Sequence, residues 1–92
     1  MQKNLILKIV TPEGERCAVT CDSVKFHICD GNSRQGGSYG VKPNHADAVF
    51  ALKAGTISAN LDGETVFSAQ ISDGFAEKRD CTLVVSADKV NL

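Results

Sequence analysis

Apolar and polar positions alternate with a period of two along most of the chain. Leu5, Leu7 and Ile9 alternate with Ile6, Lys8 and Val10, so both faces of this first segment are rather apolar, as in a well-covered strand. Cys17, Val19 and Cys21 alternate with Arg16, Ala18 and Thr20, and Val24, Phe26 and Ile28 alternate with Lys25 and His27. Shorter runs follow at Tyr39–Val41 and Ala48–Leu52. Ile57, Ala59 and Leu61 then alternate with Ser58 and Asn60, and Thr65, Phe67, Ala69 and Ile71 with Val66, Ser68 and Gln70. Phe75–Glu77 and Cys81–Ser86 read as two last strands, and residues 87–92 carry no clear period. No run of ten or more residues has the spacing of an amphipathic helix.

Turn residues punctuate these runs. Thr11-Pro12-Glu13-Gly14, Pro43-Asn44-His45, Ala54-Gly55, Asp73-Gly74 and Lys78-Arg79-Asp80 each separate two of them. Asp62-Gly63 between two alternating segments is a strong hairpin signal, because a type I′ turn needs positive φ at both central residues. Residues 30–37 (DGNSRQGG) hold no apolar side chain and read as a loop. Many short strands with frequent turns predict an all-β fold, a sandwich or a barrel.

A chain of 92 residues is one domain by size and buries only about 60–65% of its unfolded surface. Its hydrophobic share of 42% suffices for one core, but with 5% aromatics and no Trp that core is built from Val, Ile, Leu, Ala and a few Phe. Ten basic residues against eleven acidic ones leave no basic footprint for nucleic acid. No apolar stretch approaches the roughly 20 residues that span a bilayer, and the N-terminal apolar run is too short for a signal peptide, so a cytosolic protein is expected.

Candidate chemistry is sparse. Cys17 and Cys21 lie four apart in one strand, so their Cα atoms are roughly 13 Å apart. That is beyond the reach of a disulfide, which needs less than about 7 Å. Both read as small buried hydrophobes, and all four cysteines are expected as reduced thiols in a reducing compartment. No Cys-x2-Cys pair supports zinc, and His27, in a strand, and His45, in a turn, have no ligand-like spacing to the cysteines. A nucleophile elbow and a phosphate-binding Gly-Lys-Ser/Thr loop are both missing. No catalytic residue, metal site or cofactor is therefore nominated, and function is expected to lie in a surface.

Three stretches resemble one family, the ε subunits of F-type ATP synthases. The first is LKIVTPEGE, residues 7–15. The second is GSYGVKPNHADAVFALKAGTI, residues 37–57, in which Gly37, Gly40, Val41, Pro43, His45, Ala46, Leu52, Lys53 and Gly55 fit the family's central motif. The third joins SDGFAE, residues 72–77, to TLVVSAD, residues 82–88. The resemblance covers nearly the whole chain and implies a flattened β-sandwich of about ten short strands over residues 1–88, with 89–92 as a short tail. It also implies a non-catalytic subunit of the central stalk, or rotor, of a proton-translocating ATP synthase. Such a subunit binds the γ subunit and the ring of c subunits and couples rotation to ATP synthesis or hydrolysis. It would be cytoplasmic, peripheral on the inner side of the cell membrane, without membrane insertion.

By the same resemblance, Arg34, Gln35, Gly37, Ser38, Asn44 and His45 are the expected partner contacts, and Gly40, Pro43, Gly55, Gly63 and Gly74 the structural turn residues. His45 is equally readable as satisfying its own turn. The chain departs from the family in five respects. Asn44 and Asp73 replace glycines, Asn44 being the residue type that tolerates the left-handed region. Ser38 stands where many members carry Glu, and the loop at 29–36 is longer than the family norm. The family usually continues into two C-terminal helices that inhibit ATP hydrolysis, whereas this sequence stops at Leu92. Support for assembly and coupling without that brake is expected. The rival reading is a stand-alone β-sandwich that binds a small ligand or a metal; a weaker one is a fragment of a larger enzyme.

Overall fold

The computed structural model describes residues 4–28 and 37–91, with the side chains of Gly37 and Ser38 left aside. Among the described residues there are ten strands and no helix: β1 (Leu5–Thr11), β2 (Gly14–Cys21), β3 (Ser23–Ile28), β4 (Gly37–Val41), β5 (Ala48–Leu52), β6 (Gly55–Leu61), β7 (Glu64–Ile71), β8 (Gly74–Arg79), β9 (Thr82–Ala87) and β10 (Val90–Asn91). They form one continuous sheet in the order β10-β7-β6-β3-β5-β8-β9-β1-β2, with β4 on the side of β3. Every pairing is antiparallel except β1 with β9. The sheet curls so that β2 meets β6 and β7, which makes a sandwich. Its shortest dimension, 23 Å, matches two sheets about 10 Å apart with side chains outside each.

The fold narrows where β3 meets β5. A single register pair, Ile28 with Leu52, joins the two layers there, backed by a hydrogen bond from the Lys53 amide to the His27 carbonyl, 3.0 Å. On one side lie β3, β4, β6, β7 and β10; on the other β5, β8, β9, β1 and β2.

Alternation decides what is inside. Leu5, Leu7 and Ile9 of β1, Val24 and Phe26 of β3, Ile57 and Ala59 of β6, Ala69 and Ile71 of β7, and Leu83, Val85 and Ala87 of β9 all face the core. Cys21, Val41, Leu52 and Ala76 complete it. Each Leu, Ile or Phe so buried contributes about 1.5–3 kcal/mol, and a core this thin needs all of them.

Three hairpin ends use the residues the sequence suggested. Asp62 (φ 54°) and Gly63 (φ 83°) form the left-handed pair between β6 and β7, and the Asp62 amide is held by the Asp22 carboxylate at 2.9 Å. Asp80 (φ 52°) turns β8 into β9. The β1–β2 turn uses Gly14 at φ 119°. Gly74 is required for a different reason: a Cβ there would run into the carbonyl oxygen of Ser86 on the paired strand. At Gly55 the His27 ring occupies the space, with Cδ2 only 2.7 Å from where a Cβ would lie.

Several boundaries differ from the sequence reading. Strand β8 runs on through Lys78 and Arg79, because each still has a partner on β9, and Cys81 falls in the turn rather than in the last long strand. Val90 and Asn91, read as part of a tail, pair with Ile71 and Gln70 of β7. Ser72 secures them: its amide donates to the Lys89 carbonyl, and its hydroxyl accepts from the Lys89 amide, both at 3.0 Å. Gly37 and Gly40, expected to permit tight turns, instead belong to β4, opposite Ile28 and Lys25. A Cβ on Gly40 would meet only ordinary contacts, at 3.9 and 4.0 Å.

Cys17, Cys21 and Cys81 are free thiols; Cys29 lies outside the described residues. Burial pushes the Cys17 and Cys21 thiols up, and Cys21 donates to the Leu5 carbonyl at 3.4 Å.

Two outcomes follow from this packing. Gly74→Ala should cost about 3 kcal/mol in urea unfolding because backbone must move, whereas Gly40→Ala should change stability by no more than about 1 kcal/mol. The neutral thiol of Cys21 is the form the folded state accepts. Stability should therefore hold below about pH 8.5 and fall as pH rises above that value towards the raised folded pKa. Cys21→Ala should make the loss between pH 8 and 10 shallower, as read by denaturation midpoints at each pH.

Candidate functional site

The segment between β4 and β5 carries the most structured surface loop. Pro43 presets φ, and the His45 amide returns to the Lys42 carbonyl at 2.9 Å, closing a four-residue turn. Asn44 does not have positive φ, since Asp62 and Asp80 are the only non-glycine residues that do among those described. The turn is therefore one that needs no glycine at this position, and the expected left-handed Asn44 is corrected. A turn with Pro second and negative φ third accepts most residues.

His45 is engaged at both ring nitrogens. Nδ1 lies 2.7 Å from the Ala46 carbonyl, which can only accept, so Nδ1 carries a proton. In the neutral ring, Nε2 then accepts from the Tyr39 hydroxyl at 2.9 Å. The ring also stands edge-on to Tyr39 and Phe50, with centroids 5.8 and 5.7 Å away. Phe26 supports the same cluster from the core, 5.6 Å from Phe50. His45 thus pins its own turn to β4 and β5 and presents only part of its ring to solvent.

Lys78 fixes this turn from below. Its side chain is 1% exposed, on the inner face of β8 between Ala48 and Leu83. The ammonium donates to the His45 carbonyl at 2.9 Å and to the Asp80 carbonyl. Asp47 completes the junction by accepting the Asp80 amide at 2.9 Å. The sequence reading placed Lys78 in a surface turn. Continued alternation of Phe75, Glu77 and Arg79 outward with Ala76 and Lys78 inward was the signal that would have buried it.

The nominated residues fall in several places. Asn44 and His45 sit at this end of the sandwich, Asn44 fully exposed, with Pro43 beside them. Gly37 and Ser38 open β4, opposite Ile28 and His27, at the end of that strand away from the turn. Arg34 and Gln35 lie outside the described residues. Gly55, Gly63 and Gly74 are remote from the turn and serve the framework. Asp73, where the family has glycine, accepts the Ala54 amide at 2.6 Å and so clips the β5–β6 connection.

The two outer faces of the sandwich differ in their large apolar side chains. Lys25, Thr56, Ser58, Ser68 and Gln70 cover the layer of β3, β6 and β7 beside the exposed Val66, with Gln70 donating to Thr56 at 2.6 Å. The opposite layer presents Val49 and Ala51 of β5, Phe75 of β8, Val84 of β9, and Ile6 and Val10 of β1, interleaved with Lys8, Glu77, Arg79, Thr82 and Ser86 on the same face. Cross-strand partners share a face, so these side chains form one surface: Ala51 opposes Phe75, Phe75 opposes Ser86, and Ser86 opposes Val10. Val49 is 68% and Phe75 61% exposed, although both are large and apolar. Strand alternation alone could have shown that β5 and β8 carry apolar residues on both faces.

No group of three or more His, Cys, Asp or Glu among the described residues could hold a metal ion, and no helix there is long and apolar enough to cross a membrane. A groove of about 650 Å³ runs open between the β1–β2 turn and β10 and is walled by Glu13, Arg16, Gln70 and Lys89 among others. It holds no convergent set of nucleophile and base.

A twisted ten-strand sandwich with this central turn is a known arrangement. Residues 4–92 match the model of the ATP synthase δ/ε chain β-sandwich domain. The chain belongs to that family. It is 36% identical over 88 residues to the ATP synthase epsilon chain of Desulforamulus reducens, covering 96% of this chain and 61% of that one. To the epsilon chain of Campylobacter hominis it is 44% identical over 71 residues, 76% of this chain and 49% of the relative. The chain thus spans about half to three-fifths of the length of these curated relatives. Among solved structures, a chain of the Euglena gracilis mitochondrial ATP synthase OSCP/F1/c-ring assembly superposes with a TM-score of 0.78 at 17% identity, over 98% of this chain and 54% of that one. A chain of the Tetrahymena thermophila central stalk/c-ring structure gives 0.69 at 13% identity, over 97% and 66%. At these identities the two structures show the shared fold.

Within this δ/ε-type domain, the Tyr39–His45 hydrogen bond should contribute about 0.5–1.5 kcal/mol. Tyr39→Phe is expected to lower the denaturation midpoint by that amount and to shift the His45 ring signals in two-dimensional NMR, while His27 signals stay in place.

Proposed function

We propose that this domain is a non-catalytic element of the central stalk, or rotor, of an F-type proton-translocating ATP synthase. The apolar outer face of β5, β8, β9 and β1 docks the γ subunit, and the end that carries Asn44 and His45 rests on the ring of c subunits. Through these two contacts it helps couple rotation of the membrane ring to ATP synthesis or hydrolysis. It works as a peripheral subunit on the cytoplasmic side of the membrane, by protein–protein contact, with no cofactor of its own.

The observation that carries this reading is the pair of unlike faces in a domain of this family. A face exposing Val49 and Phe75 among charged and polar neighbours such as Glu77, Arg79 and Lys8 offers apolar anchors within a polar surround, as a docking surface does. Burying one such aromatic or aliphatic side chain on association contributes about 1.5–3 kcal/mol.

A double variant, Val49→Asp with Phe75→Asp, tests it. Both side chains are exposed, so the isolated domain should keep its denaturation midpoint to within about 1 kcal/mol. Co-purification with a γ-type stalk subunit from native membranes should drop by at least tenfold. Undiminished recovery of the stalk subunit with the double variant would remove this face from the proposal.

A further inference from the structure

A buried ammonium is an expensive group for so small a core. Lys78 is 1% exposed, and no carboxylate among the described residues lies within 4 Å of its nitrogen to compensate the charge. Its partners are two backbone carbonyls, those of His45 and Asp80. A Met or Leu at this inward position of β8 would fill the layer between Ala48 and Leu83 without any desolvated charge. The ammonium therefore does something that packing does not require. The two carbonyls belong to the β4–β5 turn and to the β8–β9 turn, which lie 33 to 35 residues apart in sequence and have no ladder of their own to hold them together.

We infer that Lys78 is a positioning residue: its ammonium sets the β4–β5 turn in the shape that presents Asn44 and the His45 ring to a partner. The role of that turn in contact rests on the proposal above; the clip itself does not. Two other bonds complete it. The His45 amide bonds the Lys42 carbonyl within the turn, and the Asp80 amide bonds the Asp47 carboxylate across to it. With the ammonium gone, both carbonyls lose their shared donor, and nothing else among the described residues ties the His45 carbonyl to β8, so the turn is free to lift away and take water in its place. Tyr39 and Phe50 lie against the His45 ring, so lifting the turn also parts that aromatic contact. The titratable groups that face this junction are His45, Asp47, Asp80 and Glu77, the last already paired with Arg79 at 2.6 Å.

Lys78→Met keeps the apolar stem and removes the donor. In the 92-residue chain, hydrogen exchange of the His45 and Asp80 amides should accelerate at least tenfold, while the amides of Leu7 and Val85 in the core keep wild-type rates. Asp47→Asn retains an acceptor for the Asp80 amide and serves as a control that should leave His45 exchange unchanged. Should Lys78→Met fail to fold, Lys78→Gln, which keeps a shorter donor, takes its place with the same readout. Wild-type exchange at His45 and Asp80 in a folded variant overturns the inference. Assembly adds a separate readout: loss of ring attachment with retained γ binding supports the positioning role. Accelerated exchange with wild-type ring attachment overturns it, and with it the assignment of the turn as a contact, while leaving the γ-binding face untouched.

Discussion

The core of this domain comes from one side of one sheet. Ten strands share a continuous hydrogen-bonded order, and curling that sheet brings its inner side against itself. Nearly everything inward must then be apolar and compact, from Leu5, Leu7 and Ile9 on β1 to Leu83, Val85 and Ala87 on β9, with Lys78 the charged exception among the described residues. Everything outward is released from that demand, so what appears there reflects contact with water or with another molecule. The same rule makes backbone approach tight at places where strands cross: Ser86 leaves Gly74 no room for a side chain, and His27 leaves Gly55 none.

Because outward positions are free, the difference between the two outer faces carries information. Lys25, Ser58, Ser68 and Gln70 spend nothing on burial and keep one layer wet. Val49, Phe75 and Val84 set apolar side chains among the polar ones of the other layer, at a cost in solubility that a domain with no partner would not need. The apolar face spans β1, β5, β8 and β9, which are tied by both antiparallel and parallel ladders, so a partner meets a surface that the sheet itself holds rigid.

Much of the framework was legible in the order of residues. Period-two alternation located β1, β2, β3, β6 and β7, short runs between turn residues located β4, β5, β8 and β9, and Asp62-Gly63 and Thr11–Gly14 named two turns, because these signals act within a few residues. Three features were not legible, each for a physical reason. The pairing of Val90 and Asn91 with β7 depends on Ser72 and Lys89 exchanging hydrogen bonds across 17 residues. Gly40 looks like a turn residue in sequence yet sits in β4, because a glycine inside a strand and one at a bend carry the same local signature. Lys78 was misplaced because charge is normally a sign of exposure, and its burial goes with two carbonyl partners, one of them, His45, 33 residues away. For the candidate site, the sequence pointed to the His45 turn, but the bonds that shape it, from Tyr39 and Lys78, come from strands on either side.

The two contact regions are made rigid by different means, and that difference sets how each responds to change. The apolar face is backbone-defined: removing Phe75 there deletes contact area while the ladder of β8 with β5 and β9 persists. The end of the sandwich is side-chain-defined. Its turn closes on a single backbone hydrogen bond from His45 to Lys42, and its placement relative to the sheet comes from the Tyr39 hydroxyl, the Lys78 ammonium and the Asp47 carboxylate. Each of these bonds contributes only about 0.5–3 kcal/mol, more where a charge is involved, so no one of them decides whether the domain folds. Together they decide which way Asn44 and the imidazole of His45 point. Under the proposed function, a contact that turns together with the ring and carries torque needs a fixed shape more than a large area, and a small number of directional bonds around one turn supplies that shape where a sheet ladder cannot reach.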